Sequence, residues 1–141
     1  DNKVSITDQA TLAYHAGVYG GYVKEGDVTN NQVQFRSSSN QKIQGIYGGY
    51  SNGTGTASEN QVSLTNGTID TDIIKGGSSV SSANGNTVSI GGNAELVSTT
   101  AYNAEDGIYG GYSSGENGHG QATDNKVSIT DQATLAYHAG V

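Results

Sequence analysis

Cysteine, methionine, tryptophan and proline are all absent from this chain of 141 residues, and phenylalanine occurs once, at Phe35. Without cysteine there is no disulfide framework, so stability does not depend on an oxidising compartment. Charge is scarce too. Only 13% of residues are charged, with Lys plus Arg numbering six against thirteen Asp plus Glu, for a formal charge of −7. That balance argues against a nucleic-acid partner and offers no basic patch to anionic lipid. No apolar run is long enough to span a bilayer as a helix. No leader is visible, but the chain starts and stops inside its own repeat. The expectation is therefore a piece excised from a longer array, with targeting segments outside it.

What is present is repetition. Residues Asp1–Val18 read DNKVSITDQATLAYHAGV, and Asp124–Val141 repeat the same eighteen letters at an offset of 123. A shorter period lies within. Asn2, Asn31, Asn60, Asn86 and Asn125 each open an Asn-x-Val-x-apolar string, at intervals of 29, 29, 26 and 39 residues. A second block recurs as VYGGY at Val18–Tyr22 and IYGGY at Ile46–Tyr50 and Ile108–Tyr112, whereas the third repeat has IIKGGSSV instead. Such a chain is modular along one axis, and its function is expected from a repeated surface rather than from one site.

The Asn-x-Val-x-apolar strings alternate with period two, pairing Val4 with Ile6, Val33 with Phe35, Val62 with Leu64, Val88 with Ile90 and Val127 with Ile129. Each reads as a half-buried strand. A second apolar cluster follows at Leu12/Tyr14, Ile43, Ile73/Ile74, Leu96/Val97 and Leu135/Tyr137, and the YGGY block is the third. Gly, Asn and Ser separate the clusters, as turns require. QATLAYHAG is the best helical stretch, but it suits a strand and corner equally well. The reading is all-β: a right-handed parallel β-helix, or β-solenoid, of about one coil per repeat, forming a single unit over residues 1–141. The repeated Val and Ile would stack into a narrow core, and the five asparagines would form a side-chain ladder of the kind that stabilises cross-β order. Length variation would fall in loops, GTGTASE after Tyr50 and SSGENGHGQATD after Tyr112, and the tyrosine ladder would have a gap in the third repeat. The competing fold is an antiparallel sandwich or hairpin array. Against it stands the lack of two-residue hairpin turns between matched strands.

The Asn-x-Val-x-Ile strands, the Gly-Ile-Tyr-Gly-Gly-Tyr block and the Gly/Ser/Asn linkers resemble the passenger repeats of bacterial autotransporter adhesins and similar large repetitive cell-surface proteins. The resemblance covers Val4–Tyr22, Val33–Tyr50 and Val88–Tyr112, with Val62–Val80 degenerate. It implies export through the outer membrane, display as a long rod, and roles in adhesion, aggregation or biofilm.

Residue types that carry chemistry are sparse. The paired glycines of the YGGY blocks lack phosphate-loop spacing and a following helix, and read as places where the chain bends or its repeats approach closely. His15 and His138 share one repeat position, and His119 lies in a Gly-rich stretch, so no metal set assembles from spacing. Asp70/Asp72 and Glu105/Asp106 are the close carboxylate pairs, compatible with a glycosidase pair or a calcium ligand but lacking a basic substrate clamp. Asn52-Gly53-Thr54 and Asn66-Gly67-Thr68 match the N-glycosylation acceptor, a frequent chance match in so Asn- and Thr-rich a chain. The tyrosines carry the functional reading. A regular strand puts Val18, Gly20 and Tyr22 on one face and Tyr19 and Gly21 on the other. With Val18 and Tyr22 inward, Tyr19, Tyr47 and Tyr109 form an outward row suited to sugars or protein surfaces. The reverse assignment, Tyr19 buried and Tyr22 exposed, stays open, and the rings equally serve as a packing ladder.

These features point to a non-enzymatic structural or adhesive rod, secreted or displayed on a bacterial outer membrane. It would work through multivalent contacts with like rods, host-cell or matrix surfaces, or glycans. No cofactor, metal or nucleic acid is called for. A polysaccharide-binding or polysaccharide-degrading β-helix is the alternative.

Overall fold

In the computed structural model, which describes residues 1–99, 103, 105–115 and 120–136, the chain is built from β-strands, with no helix among the described residues. Among the described residues no helix is long and apolar enough to cross a membrane. Strands β1 (Lys3–Ile6), β4 (Gln32–Phe35), β7 (Gln61–Asp70), β10 (Thr87–Val97) and β13 (Lys126–Ile129) lie side by side. Each neighbouring pair is parallel and in register, so Val4, Val33, Val62, Val88 and Val127 form one row. Ile6, Phe35, Leu64, Ile90 and Ile129 form the next.

The YGGY blocks lie in β2 (Ala13–Val23), β5 (Gln41–Ser51) and β11 (Gly107–Ser113), with the variant block in β8 (Ile73–Ser79). These strands also stack parallel, aligning Val18, Ile46, Ile74 and Ile108. A separate four-stranded sheet joins β3 (Val28–Thr29), β6 (Thr56–Ser58), β9 (Ser82–Asn84) and β12 (Gln121–Thr123), and β14 (Thr134–Ala136) extends the stack beside the far end of β10. Long strands link the rows. β5 pairs with β7 through Gln41–Lys42 and with β8 through Gly45–Ser51. The antiparallel alternative is therefore ruled out, because every strand pairing among the described residues is parallel. QATLAYHAG gives its last residues to β2 rather than to a helix, and the expected loop GTGTASE contains strand β6. The expected loop SSGENGHGQATD likewise contains a strand, β12, while its residues 116–119 and Tyr137 lie outside the described residues.

Two periodicities make the core. The inward Val and Ile of the first row meet Ile46, Ile74 and Ile108 of the YGGY row, and Ile69 and Leu96 fill the space between. Fully burying one such side chain contributes about 1.5–3 kcal/mol. Polar residues enter this interior too, Gln41 among them. Gln41 stands in register with Ile69 and Leu96 yet is buried. Its amide donates to the carbonyls of Ala10 (2.8 Å) and Ser39 (3.1 Å), while its Oε1 accepts from Leu12 N–H (2.6 Å). Full pairing removes most of the cost of burying an amide.

The corner before each repeat has its own construction. Asn30, Glu59, Gly85 and Asp124 all adopt positive φ, between 54° and 64°, immediately before a repeat asparagine. That left-handed step turns the next side chain inward. Asn2 donates through N–H and Nδ2 to Asn31 Oδ1 at 3.0 and 2.9 Å. Asn31 does the same to Asn60 at 3.0 and 2.9 Å, and Asn60 to Asn86 at 3.0 Å by both bonds. Asn86 donates to Asn125 at 2.9 and 3.0 Å. The remaining amide proton goes to a backbone carbonyl: Thr29 for Asn31, Val28 for Asn60, Ala57 for Asn86 and Ala83 for Asn125.

The glycine pairs make room for this ladder. A Cβ on Gly49 would lie 2.5 Å from Asn60 Cγ, and Gly21, Gly77 and Gly111 face Asn31, Asn86 and Asn125 in the same way. The other glycine of each pair lies against backbone of the adjoining repeats: Gly20 against the Gly48 carbonyl, Gly48 against that of Gly76, and Gly76 against that of Gly110. The two sequence motifs are thus the two halves of one contact.

Asn60→Ala would strand the Asn31 donors and the Val28 carbonyl in the interior. At roughly 1–3 kcal/mol per unsatisfied buried group, the expected loss is about 2–4 kcal/mol. Asn2→Ala, at an exposed position, should cost under about 1 kcal/mol. Urea unfolding of the two variants measures the difference, and equal losses would show that the ladder does not stabilise the stack.

Candidate functional site

The YGGY row puts its aromatic rings on the outer surface, but not in the simple alternation expected of a strand. Val18 packs against the core, whereas Tyr19 and Tyr22 are 37% and 54% exposed and touch edge to face at 5.6 Å. Both rings of each block therefore lie outside, and neither one-in, one-out assignment describes them. The cause is the Gly-Gly step. Both Gly20 and Gly21 direct their missing Cβ toward Asn31, which interrupts the period of two and brings Tyr22 back to the side of Tyr19.

Stacking of the repeats then makes columns. Tyr19 lies over Tyr47 at 4.9 Å and Tyr22 over Tyr50 at 5.5 Å, each pair within 7° of parallel. Edge contacts at 5.3–5.9 Å link the two columns. Tyr109 and Tyr112 form a further edge-to-face pair at 5.3 Å. Aromatic pairs of this geometry contribute about 0.5–1.5 kcal/mol each beyond simple burial. Tyr50 donates its hydroxyl to Asn52 Oδ1 at 3.1 Å, and Tyr109 donates to the Asp106 carbonyl at 3.3 Å.

Between the two groups of rings the register places Lys75 where Tyr47 and Tyr109 have their homologues, and Ser78 between Tyr50 and Tyr112. The Lys75 side chain is only 3% exposed. Its ammonium stands 3.4 Å from the Tyr112 ring centroid and 5.6 Å from that of Tyr109, and pairs with the largely exposed Glu105 at 4.0 Å. Burial lowers its pKa, partly offset by the charges of Glu105 and Asp106. The small Ser78 leaves a notch of 190 Å³ whose lining includes Tyr47, Tyr50, Lys75, Ser78, Glu105 and Tyr112. A larger depression, 590 Å³, lies over the polar rungs Lys3, Gln32 and Gln61 and has no aromatic wall.

The carboxylates singled out from sequence do not gather into one centre. Asp70 pairs with Lys42 at 3.6 Å and accepts from Thr99 N–H and Oγ1 at 3.2 and 2.7 Å. Asp72 accepts from Ser98 Oγ at 2.6 Å, and the buried Asp106 accepts from Asn103 N–H at 2.6 Å. Glu105 alone turns to the tyrosine face. Among the described residues no group of three or more His, Cys, Asp or Glu is placed to hold a metal ion. His119, His138 and the His15 side chain lie outside what is described. Sequence reasoning marked the gap in the tyrosine repeat but missed Lys75 as its occupant. The signal was the IIKGGSSV block itself, which aligns a lysine with the first tyrosine and a serine with the second.

No protein-family model matches the chain, and no match emerges among curated proteins or solved structures.

Tyr19, Tyr47, Tyr50 and Tyr112 all hold their phenolic protons more tightly than a free tyrosine, first because burial disfavours the phenolate and then because of neighbouring rings and, for Tyr47, Tyr50 and Tyr112, Glu105. A folded pKa above the unfolded one stabilises the fold below the ordinary value of about 10 and loses that contribution as pH rises through the folded values. Lys75 acts in the opposite sense, since its lowered pKa makes the folded state gain as the ammonium deprotonates. Four tyrosines outweigh one lysine. Thermal midpoints should hold steady up to about pH 10 and fall above it, with the ring resonances of these four tyrosines reporting phenolate only together with unfolding. Free titration of these tyrosines near the ordinary value, with the fold intact, would contradict the packing described.

Proposed function

We propose that the chain is part of a right-handed parallel β-solenoid serving as a structural or adhesive rod on a bacterial surface, of the autotransporter-passenger kind. The tyrosine face is its contact surface. The observation that supports this reading most strongly is the pair of stacked columns, Tyr19 over Tyr47 and Tyr22 over Tyr50, which repeats a large, rigid, amphipathic contact along the stacking direction. Tyrosine gives such contact area at low entropic cost, with a hydroxyl left for hydrogen bonding. Weak contacts repeated along a stiff axis gain strength by avidity. The partners proposed are like rods, host-cell or matrix surfaces, and glycans. The reading is non-enzymatic, in keeping with the structural hydrogen bonds that occupy Asp70, Asp72 and Asp106.

With the chain displayed on a non-adherent bacterial host, replacing Tyr22, Tyr50 and Tyr112 by Ser should reduce cell aggregation and surface attachment at least about tenfold, as loss of avidity predicts. A second variant carrying Tyr19→Ser, Tyr47→Ser and Tyr109→Ser should behave likewise. Far-ultraviolet circular dichroism of the purified variants should keep its strand signal. Folded variants that attach and aggregate as the parent does would remove the tyrosine face from the mechanism.

A further inference from the structure

The notch in the third repeat is built differently from the rest of the tyrosine face. We propose that it is a binding subsite for a single neutral hexopyranose residue of a glycan, an assignment that deepens the adhesive reading and rests on it. Tyr50 and Tyr112 stand two register steps apart, on either side of Ser78. At one strand spacing per step their stations are about 9.5 Å apart. The Lys75 ammonium takes the half of that interval next to Tyr112, at 3.4 Å from the ring. About 6 Å remains up to Tyr50, enough for one ring whose C–H face contacts the tyrosine at about 3.5–4.0 Å and whose far side reaches the ammonium through oxygen.

The polar groups define the ligand further. Lys75 is cationic, 3% exposed and 4.0 Å from Glu105, too far for that carboxylate to take a short, direct hydrogen bond from it. A donor and an acceptor of opposite charge at that separation fit a group that accepts from one while donating to the other. A vicinal diol does both. Ser78 adds a hydroxyl to the lining, whereas that of the buried Ser51 is donated to the Gly26 carbonyl. A flat aryl ring would leave these polar groups unanswered. An anionic sugar would meet Glu105 and a chain of net charge −7. The neutral sugar is the class that uses the tyrosine wall, the ammonium and the carboxylate together.

The test titrates the purified 141-residue chain with the methyl glycosides of glucose, galactose and mannose, following tyrosine ring resonances by NMR. Methyl glucuronide and p-cresol serve as the anionic and aryl comparisons. At least one neutral glycoside should bind saturably in the millimolar range, shifting Tyr50 and Tyr112 more than Tyr19 and Tyr22. Ser78→Tyr, which restores the tyrosine of the other repeats, should abolish the shifts while keeping the thermal midpoint, and Glu105→Gln should weaken binding several-fold. If Ser78→Tyr does not fold, Tyr112→Leu replaces it and should weaken binding at least fivefold. No saturable binding, binding unaffected by the variants, or preference for p-cresol or methyl glucuronide would overturn the assignment. Attachment of displayed cells separates this failure from that of the wider reading: cells that adhere through the tyrosine face without sugar binding in the notch lose only the subsite. Sugar binding by a chain whose tyrosine variants attach normally would instead count against the rod.

Discussion

The structure depends on an inward asparagine meeting a pair of glycines. At each corner the Asn amide must bond up the stack and across to a carbonyl, and it has room to do so only because the facing chain carries no side chain there. Gly21, Gly49, Gly77 and Gly111 occupy those places. A polar amide inside a core is costly unless paired, and each interior member of this ladder is paired at both oxygen and nitrogen. The ladder therefore fixes the register between repeats more strictly than the aliphatic rows do, since Val and Ile tolerate sliding and an amide does not.

That same constraint shapes the surface. Two successive glycines turned toward one asparagine suspend the strand's alternation for a step, and the flanking tyrosines emerge on one side as a pair. The outward pairing of the flanking side chains is thus a by-product of the corner, and at three of the four corners those side chains are tyrosines. The third repeat keeps both glycines, Gly76 and Gly77, and its asparagine, Asn86, so its backbone stacks normally while its outer side chains are free to differ. The Gly-Gly/Asn contact is kept while the side chains flanking it vary. A buried ammonium at that point is expensive to desolvate, and its lowered pKa reflects the cost.

The repeats, their strands and the alignment of the aliphatic rows were legible in the linear chain because period-two alternation and strict recurrence act locally. The gap in the tyrosine column was legible for the same reason. Three things were not. The strand β6 hid in a short Gly- and Thr-rich stretch because its pairing partners, β3 and β9, supply the order that its own residues do not. The positive-φ residue before each asparagine escaped notice because Asn30, Glu59, Gly85 and Asp124 share a conformation but no residue type. The facing of the tyrosines was misjudged because alternation was carried straight through two glycines.

By itself, the sequence determined what stacks on what: identical strings must pair in register when side-chain period and hydrogen-bonding period coincide. It also determined, by leaving out cysteine, that no disulfide holds the stack together. Only the tertiary structure decided which side each tyrosine takes, that Asp70, Asp72 and Asp106 are engaged in local hydrogen bonds, and that Lys75 lies beneath Tyr112 beside Glu105. Apart from Asp106, whose partner Asn103 is three positions away, those outcomes turn on contacts between residues 10 to 40 positions apart. A local pattern carries no record of them, because they depend on the angle through which each corner turns the chain.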